Sequence, residues 1–370
     1  MTENRTLKLF YLASALDDGD RAGLPALLAG ALPRATFDVA VGVLGPAAGA
    51  VGAALTAAGV PVLAVPVRNL IDFGGMRRLR RAVQSFGAGV LHAFGPDAVR
   101  AARLCLSRRG GSNVPRLVAT GAADAGSGPA GWLAVRQLRR ADRVVATGWA
   151  EGEAYRRLGV EGARLTRIAP AVAPPGAPPA RATFCAAIGA PEGGRLIFAG
   201  GRLDAAHNIR AAVTAFDMVR YGAPHAQLVL TGGGPDRAAA EGRARALMFD
   251  DYRVRFTGAR PDIAAATLLA EQVWVTCSRG GEGLALRAMA AGKPVLAYRT
   301  PELDEVVEDG VTGFLVPAGD QTALAGKAQL LLAEPELATR LGEAGRARAA
   351  ERFGVERLAD QHARVYQELA

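Results

Sequence analysis

The stretch SRGGEGLALRAMAAG, residues 278 to 292, sets one carboxylate, Glu282, in a glycine turn at the mouth of a small-residue helix. Arg287 follows five positions later. A carboxylate only accepts hydrogen bonds and so suits hydroxyl groups; a guanidinium only donates and suits phosphate oxygens. Two more glycine turns, Gly200-Gly201 and Gly232-Gly233-Gly234, close apolar runs, and Arg202 follows the first. Backbone N–H groups left bare by glycine beside helix N-termini are natural phosphate seats. Three such turns at one sheet edge point to an anionic, nucleotide-like ligand. None fits G-x-x-x-x-G-K-[ST], which excludes a P-loop.

The elements that must hold these turns alternate. RLIFAG, QLVLT, VRFTG, VWVTCS and KPVLAY read as strands, and NIRAAVTAFDMVRYGA and DRAAAEGRARALMFDD as helices between them. Continuous apolar strands separated by helices imply a parallel sheet covered on both faces. LKLFYLA, FDVAVGVL, VPVLAVPV, GVLHAF, RLVAT and DRVVATG repeat the pattern in the N-terminal half. The proline-rich run APAVAPPGAPPARA, 169 to 182, reads as a semi-rigid linker. The expected organisation is therefore an N-terminal Rossmann-like domain over 1–172, a linker over 173–190 and a second such domain over 191–352. An amphipathic helix over 353–370 would pack across the hinge, with the two sheets facing a cleft.

The 370 residues are half apolar, enough for substantial cores. Cys105, Cys185 and Cys277 are scattered and odd in number, which argues for reduced thiols and against disulfides or a zinc site. LKLFYLASAL has the look of a short signal sequence, but Asp17-Asp18 follow at once and a first core strand explains it better. No apolar run reaches the roughly 20 residues that span a bilayer. A cytoplasmic location is expected, with peripheral contact to the inner face of a membrane. The charge motivates that contact: residues 1–172 hold 22 basic and 12 acidic side chains, net +10, and the remainder is near neutral. Clusters at 76–81, 107–109 and 135–143 carry much of the excess. An anionic membrane surface is the partner expected from it, rather than nucleic acid.

Several segments carry a resemblance that covers nearly the whole chain. GGRLDAAHNI, LVLTGGGPD, VRFTGARPDI, AMAAGKPVLA and EVVEDGVTGFLVPAGD occur in an order that resembles glycosyltransferase family 4, retaining enzymes of the GT-B fold. GVLHAFGPDAVRAARL, LRRADRVVATG and RLTRIAPAV extend it into the N-terminal half. The resemblance implies metal-independent, cofactor-free transfer of a sugar from a nucleoside diphosphate donor, with a lipid-linked or polysaccharide acceptor left open. It implies that Arg202 holds the donor diphosphate and that Glu282 contacts the transferred sugar. By the same comparison Gly200, Gly201, His207, Gly233, Gly258, Gly283, Arg287 and Glu305 line the donor side. Gly19, His92 and Gly121 fall on the acceptor side.

The departures are specific. His207 stands where the family places a lysine at the diphosphate, Gly121 where it often places a histidine, and Pro301-Glu302 where it has Gly-Gly. Arg287 replaces the second glutamate of the E-x7-E motif, five positions from Glu282 instead of eight. The loss of three residues is nearly one helical turn, which keeps Arg287 able to face the ligand. A rival reading follows, in which a catalytically impaired member persists as a nucleotide- or partner-binding module. A dehydrogenase-like reading fails because no G-x-G-x-x-G follows an N-terminal strand.

Overall fold

The computed structural model describes residues 6–16, 23–45, 49–67, 72–106, 114–121, 136, 138–248, 253–260 and 262–370. The chain divides into two compact units, Met1–Pro170 with Val355–Ala370, and Ala171–Gly354.

The first unit is a parallel sheet in the order β3-β2-β1-β4-β5-β6-β7. Its strands are β1 (Leu7–Ala13), β2 (Phe37–Val43), β3 (Val62–Ala64), β4 (Val90–Phe94), β5 (Arg116–Thr120), β6 (Arg143–Ala146) and β7 (Leu165–Arg167). Strand parity sorts its side chains. Phe10, Leu12, Leu91, Ala93 and Val144 join one core with the helices Phe73–Phe86 and Pro96–Leu106. Tyr11, His92 and Phe94 point to the other face, where Tyr366 of the last helix, Val355–Leu369, packs on Tyr11. The last helix thus belongs to this unit.

The second unit is also parallel, ordered β10-β9-β8-β11-β12-β13. Its strands are β8 (Arg195–Gly200), β9 (Ala226–Thr231), β10 (Val254–Gly258), β11 (Gln272–Val275), β12 (Val295–Tyr298) and β13 (Gly313–Val316). Ile197, Leu228, Leu230, Trp274 and Leu296 share a core with the helices Ile209–Gly222 and Gln321–Ala333. On the opposite face Phe198 stacks on Phe184, at 5.9 Å between centroids.

The expected linker over 173–190 lacks helix and strand only as far as Ala180. Arg181–Ile188 is a helix that ends on Gly189 in the left-handed region, and Phe184 and Cys185 anchor it in the core. Proline composition hid it, because the prolines stop just before its first turn. Leu7–Ala13 is a central strand, buried from Leu9 onward.

Candidate active site

In the second unit β9 and β10 lie to one side of β8, and β11 to β13 lie to the other. The strand order therefore reverses between β8 and β11, and ligands of open α/β sheets settle at the carboxyl ends of strands on either side of such a reversal. The residues leaving those two strands are Gly200 to Asn208 and Thr276 to Glu282.

The glycines here allow backbone to pack on backbone. A Cβ on Gly232 would lie 1.9 Å from the Gly201 carbonyl oxygen, and one on Gly234 would lie 2.3 Å from that of Leu203. The Leu203 N–H donates to the Gly233 carbonyl (2.9 Å), and the Gly232 N–H to that of Gly258 (2.8 Å). The ends of β8, β9 and β10 are thereby tied into one edge. The β8 loop is tied to the β11 loop as well. The Ser278 N–H donates to the Ala206 carbonyl (2.8 Å), and the Thr276 hydroxyl to the His207 carbonyl (3.0 Å).

Asp204 organises the charges. Its carboxylate accepts the backbone N–H groups of Ala206 and His207 and the His207 ring nitrogen Nδ1 at 2.8 Å. Arg202 Nε reaches it at 3.2 Å. Burial pushes the Asp204 carboxyl upward, but the bonds from the His207 side chain and from the two backbone groups outweigh this and leave it below the usual range. An ionised carboxylate only accepts, so Nδ1 of His207 carries the proton and Nε2 turns away from Asp204. The ring lies against Gly201. The Arg202 side chain stays 72% exposed, so its guanidinium is open to an incoming anion.

Glu282 opens the helix Glu282–Ala290, and Gly281, at φ +87, is its N-cap. A Cβ at Gly281 would sit 2.6 Å from Val275 Cγ1, so the turn requires glycine. Gly283 lies in the first turn and Arg287 in the last. Glu282 and Arg287 are both half-buried. On a helix, five residues turn about 140° beyond a full circle and rise about 7.5 Å, so their side chains leave the axis on different sides. Arg279, exposed in the loop ahead, stands eight positions before Arg287.

Glu305 lies in the short helix Pro301–Val306, which Thr300 caps through the Leu303 N–H. Glu302, in the same helix, has a buried Oε2 with no hydrogen-bond partner. This helix packs on Glu282–Ala290. Sequence reading placed Arg202, His207, Glu282 and the glycine turns on this edge, and they lie there. It missed Asp204 and Ser278, which carry no signal beyond their neighbours.

The acceptor-side residues fare differently. Gly121 ends β5 at φ +68, while Gly19 lies outside the described residues. His92 is corrected: it is fully buried, bonded through Nδ1 to the Tyr366 hydroxyl (2.6 Å) and through Nε2 to the Thr120 hydroxyl (2.8 Å). Its parity on β4 turns it under the last helix, so it is a core group with no free nitrogen for a ligand. Among the described residues no three His, Cys, Asp or Glu side chains gather as a metal would need, and no helix is long and apolar enough to cross a membrane.

Two family models divide the chain. Residues 26–171 match the Glycosyl transferase 4-like domain and residues 181–348 match Glycosyl transferases group 1. The chain is 32% identical over 142 residues to N-acetyl-alpha-D-glucosaminyl L-malate synthase of Bacillus anthracis, covering 38% of this chain and 37% of that protein. It is 36% identical over 148 residues to phosphatidyl-myo-inositol mannosyltransferase of Mycobacterium leprae, covering 39% and 38%. The matches thus span under half the length of these curated relatives. Among solved structures, Anabaena HepE in complex with UDP-glucose superposes with a TM-score of 0.83 at 19% identity, over 98% of this chain and all of that one. WaaG, a glycosyltransferase involved in lipopolysaccharide biosynthesis, superposes at 0.74 and 15% identity, over 97% and 99%. The architecture is that of the GT-B fold.

Proposed function

We propose that this chain, with a glycosyl transferase 4-like half and a glycosyl transferases group 1 half, moves a sugar from a nucleoside diphosphate to an acceptor. It would do so as a family 4 enzyme, retaining the anomeric configuration and using no metal or other cofactor. The observation that carries this reading is the union of Arg202, the Asp204–His207 pair and the Glu282 helix at the strand-order reversal of the second unit.

The chemistry follows from the groups there. As the bond from sugar to phosphate breaks, negative charge grows on the leaving diphosphate. Arg202 would offset it, and His207, held through Nδ1 by Asp204, would add to this only with a second proton on Nε2, since a bare ring nitrogen accepts and cannot donate to phosphate. Glu282 would accept a hydroxyl of the transferred sugar. HepE was solved with UDP and UDP-glucose, which makes uridine nucleotides the first donors to test.

Arg287 decides between a working enzyme and the rival, an impaired member that still holds nucleotides. If Arg287 reaches phosphate, Arg287→Glu loses UDP affinity by roughly 2 to 4 kcal/mol, because a charge-assisted contact is exchanged for repulsion. If the change restores a ribose acceptor, affinity is flat or better, and the binding-module reading prevails. Calorimetry with UDP, followed by an assay for sugar release from UDP-glucose, reads both. A wild-type chain that binds no nucleoside diphosphate refutes the enzyme and the nucleotide-binding module together, and leaves only a partner-binding one.

The acceptor would be lipid-linked or a polysaccharide, met by the basic first unit, which would also touch an anionic membrane from the cytoplasmic side. On the helix Phe73–Phe86, Met76, Leu79 and Val83 face the core, while Arg77, Arg78, Arg81 and Phe73 are exposed. The basic segment 107–109 and residues 135 and 137 lie outside the described residues. Co-sedimentation with acidic vesicles that fades with salt is expected. Equal binding to neutral vesicles removes the membrane from the proposal.

A further inference from the structure

Trp149 is 56% exposed, whereas Trp274 is fully buried. Trp149 is the first residue of the helix Trp149–Arg157, immediately beyond the carboxyl end of β6. The backbone that presents it is held firmly. The Glu151 carboxylate accepts the Thr147 N–H (2.7 Å) and the Thr147 hydroxyl (2.8 Å), and its other oxygen accepts the hydroxyl of buried Tyr155 (3.0 Å). The ring is also backed from the neighbouring strand. Arg167 ends β7, pairs in register with Ala146 of β6, and sets its guanidinium 4.1 Å from the indole centroid. A large aromatic ring is thus fixed at both its backbone and one face while most of its surface stays in water.

Neither the helix start nor the sheet core requires this. A polar residue serves equally well at a first helical turn, and the Glu151 bonds do not involve the indole. Rigid, exposed aromatic rings are the side chains from which binding sites are built, since they lose little freedom when a ligand covers them. Among the described residues of this unit the other exposed large apolar side chains lie elsewhere: Leu63 on the edge strand β3, Phe73 at the start of another helix, and Val114 ahead of β5. Trp149 is accordingly, among the described residues, a single platform rather than part of an apolar docking face. It stands at the carboxyl edge of the parallel sheet, the edge on which open α/β sheets take their ligands, two strands from the order reversal between β1 and β4.

We infer that Trp149, backed by Arg167, is a carbohydrate subsite in which one C–H face of a sugar or cyclitol ring stacks on the indole. The C–H bonds on such a face are apolar and slightly positive, and they meet the electron-rich face of the ring. The ring hydroxyls, directed outward, keep their water. The inference rests on the proposed transfer of a sugar and names the first unit's share in it, namely holding a ring of the acceptor.

Saturation-transfer NMR of the full chain with maltose, N-acetylglucosamine and myo-inositol tests it, with Trp149→Phe and Trp149→Ala beside the wild type. The expected result is saturation of the C–H protons of at least one probe in the wild type. Trp149→Phe should retain it with affinity within about threefold, and Trp149→Ala should lose it by tenfold or more. UDP affinity, measured by calorimetry on the same samples, should be equal in all three. No transfer in the wild type, or equal transfer in Trp149→Ala, overturns the inference. So does binding of the wild type but not Trp149→Ala to neutral phosphatidylcholine vesicles, which would make the ring a membrane anchor. A wild type that binds the sugars but no UDP leaves the subsite standing and removes the donor site instead.

Discussion

Both units wind their sheets alike: the first strand lies inside, the next two go to one side, and the chain returns to the other. They use their polar groups in opposite ways. In the second unit the edge beyond β8 and β11 is made of close glycine backbone, with Arg202 and the Asp204–His207 pair set upon it. In the first unit the polar chemistry is folded inward, where Thr120, His92, Tyr366 and Tyr11 form one buried chain of hydrogen bonds. The same topology can thus turn a histidine into an edge group or into a structural one. What decides is whether the residue lies past the end of a strand or within it.

The largest expected effect is on the glycine edge. Gly232→Ala places a methyl 1.9 Å from a carbonyl oxygen at φ +100, and should cost more than about 3 kcal/mol and abolish UDP binding. Gly95→Ala, at the end of β4 and φ +88, meets nothing within 4 Å and should cost only about 1 to 2 kcal/mol, the strain of a left-handed residue. Thermal unfolding of both variants reads the contrast, and similar losses would break it.

Acid should act next, and on the first unit. Burial holds the His92 imidazole well below its ordinary range, aided by His362 beside it, and burial lowers His362 to about 4. The unfolded chain takes these protons below about 6.5, while the folded chain refuses them. Stability present above pH 6.5 therefore drains away as the pH falls toward 4, by on the order of 3 kcal/mol for His362 alone. Hydrogen exchange between pH 7 and 4.5 should show the first unit losing protection before the second, and His362→Gln should flatten the slope. Simultaneous loss in both units would contradict the division of roles.

The smallest effect sharpens the proposed donor site. Arg202→Ala should weaken UDP binding by about 2 kcal/mol, the worth of a hydrogen bond to a charged group, while Arg77→Ala on the first unit leaves it unchanged. Calorimetry suffices, and equal losses would mean that only bulk charge is at work.

What could be read in the sequence follows the same line. The parallel strands were legible because burial on both faces makes runs such as RLIFAG uniformly apolar. The glycine edge of the second unit was legible because close backbone contact demands glycine at fixed places. The helix Arg181–Ile188 was concealed by the prolines before it. The burial of His92 was concealed too, since its partner Tyr366 lies 274 residues away. Trp149 carried no signal, because the bonds that hold it come from Thr147, Glu151 and Tyr155, which read as an ordinary helix start.

The first unit is closed by the last helix, and this has a consequence for how the protein is made. The segment Ala171–Gly354 is an insertion within it, so the ribosome begins the first unit, makes the whole of the second, and only then supplies Tyr366. At about 5 to 20 residues per second, the nascent face around Tyr11 and His92 waits roughly ten to forty seconds for its cover. The half synthesised first is therefore completed last. A stop codon or an ill-placed tag near the carboxyl terminus would injure the amino-terminal core and leave the middle of the chain to fold.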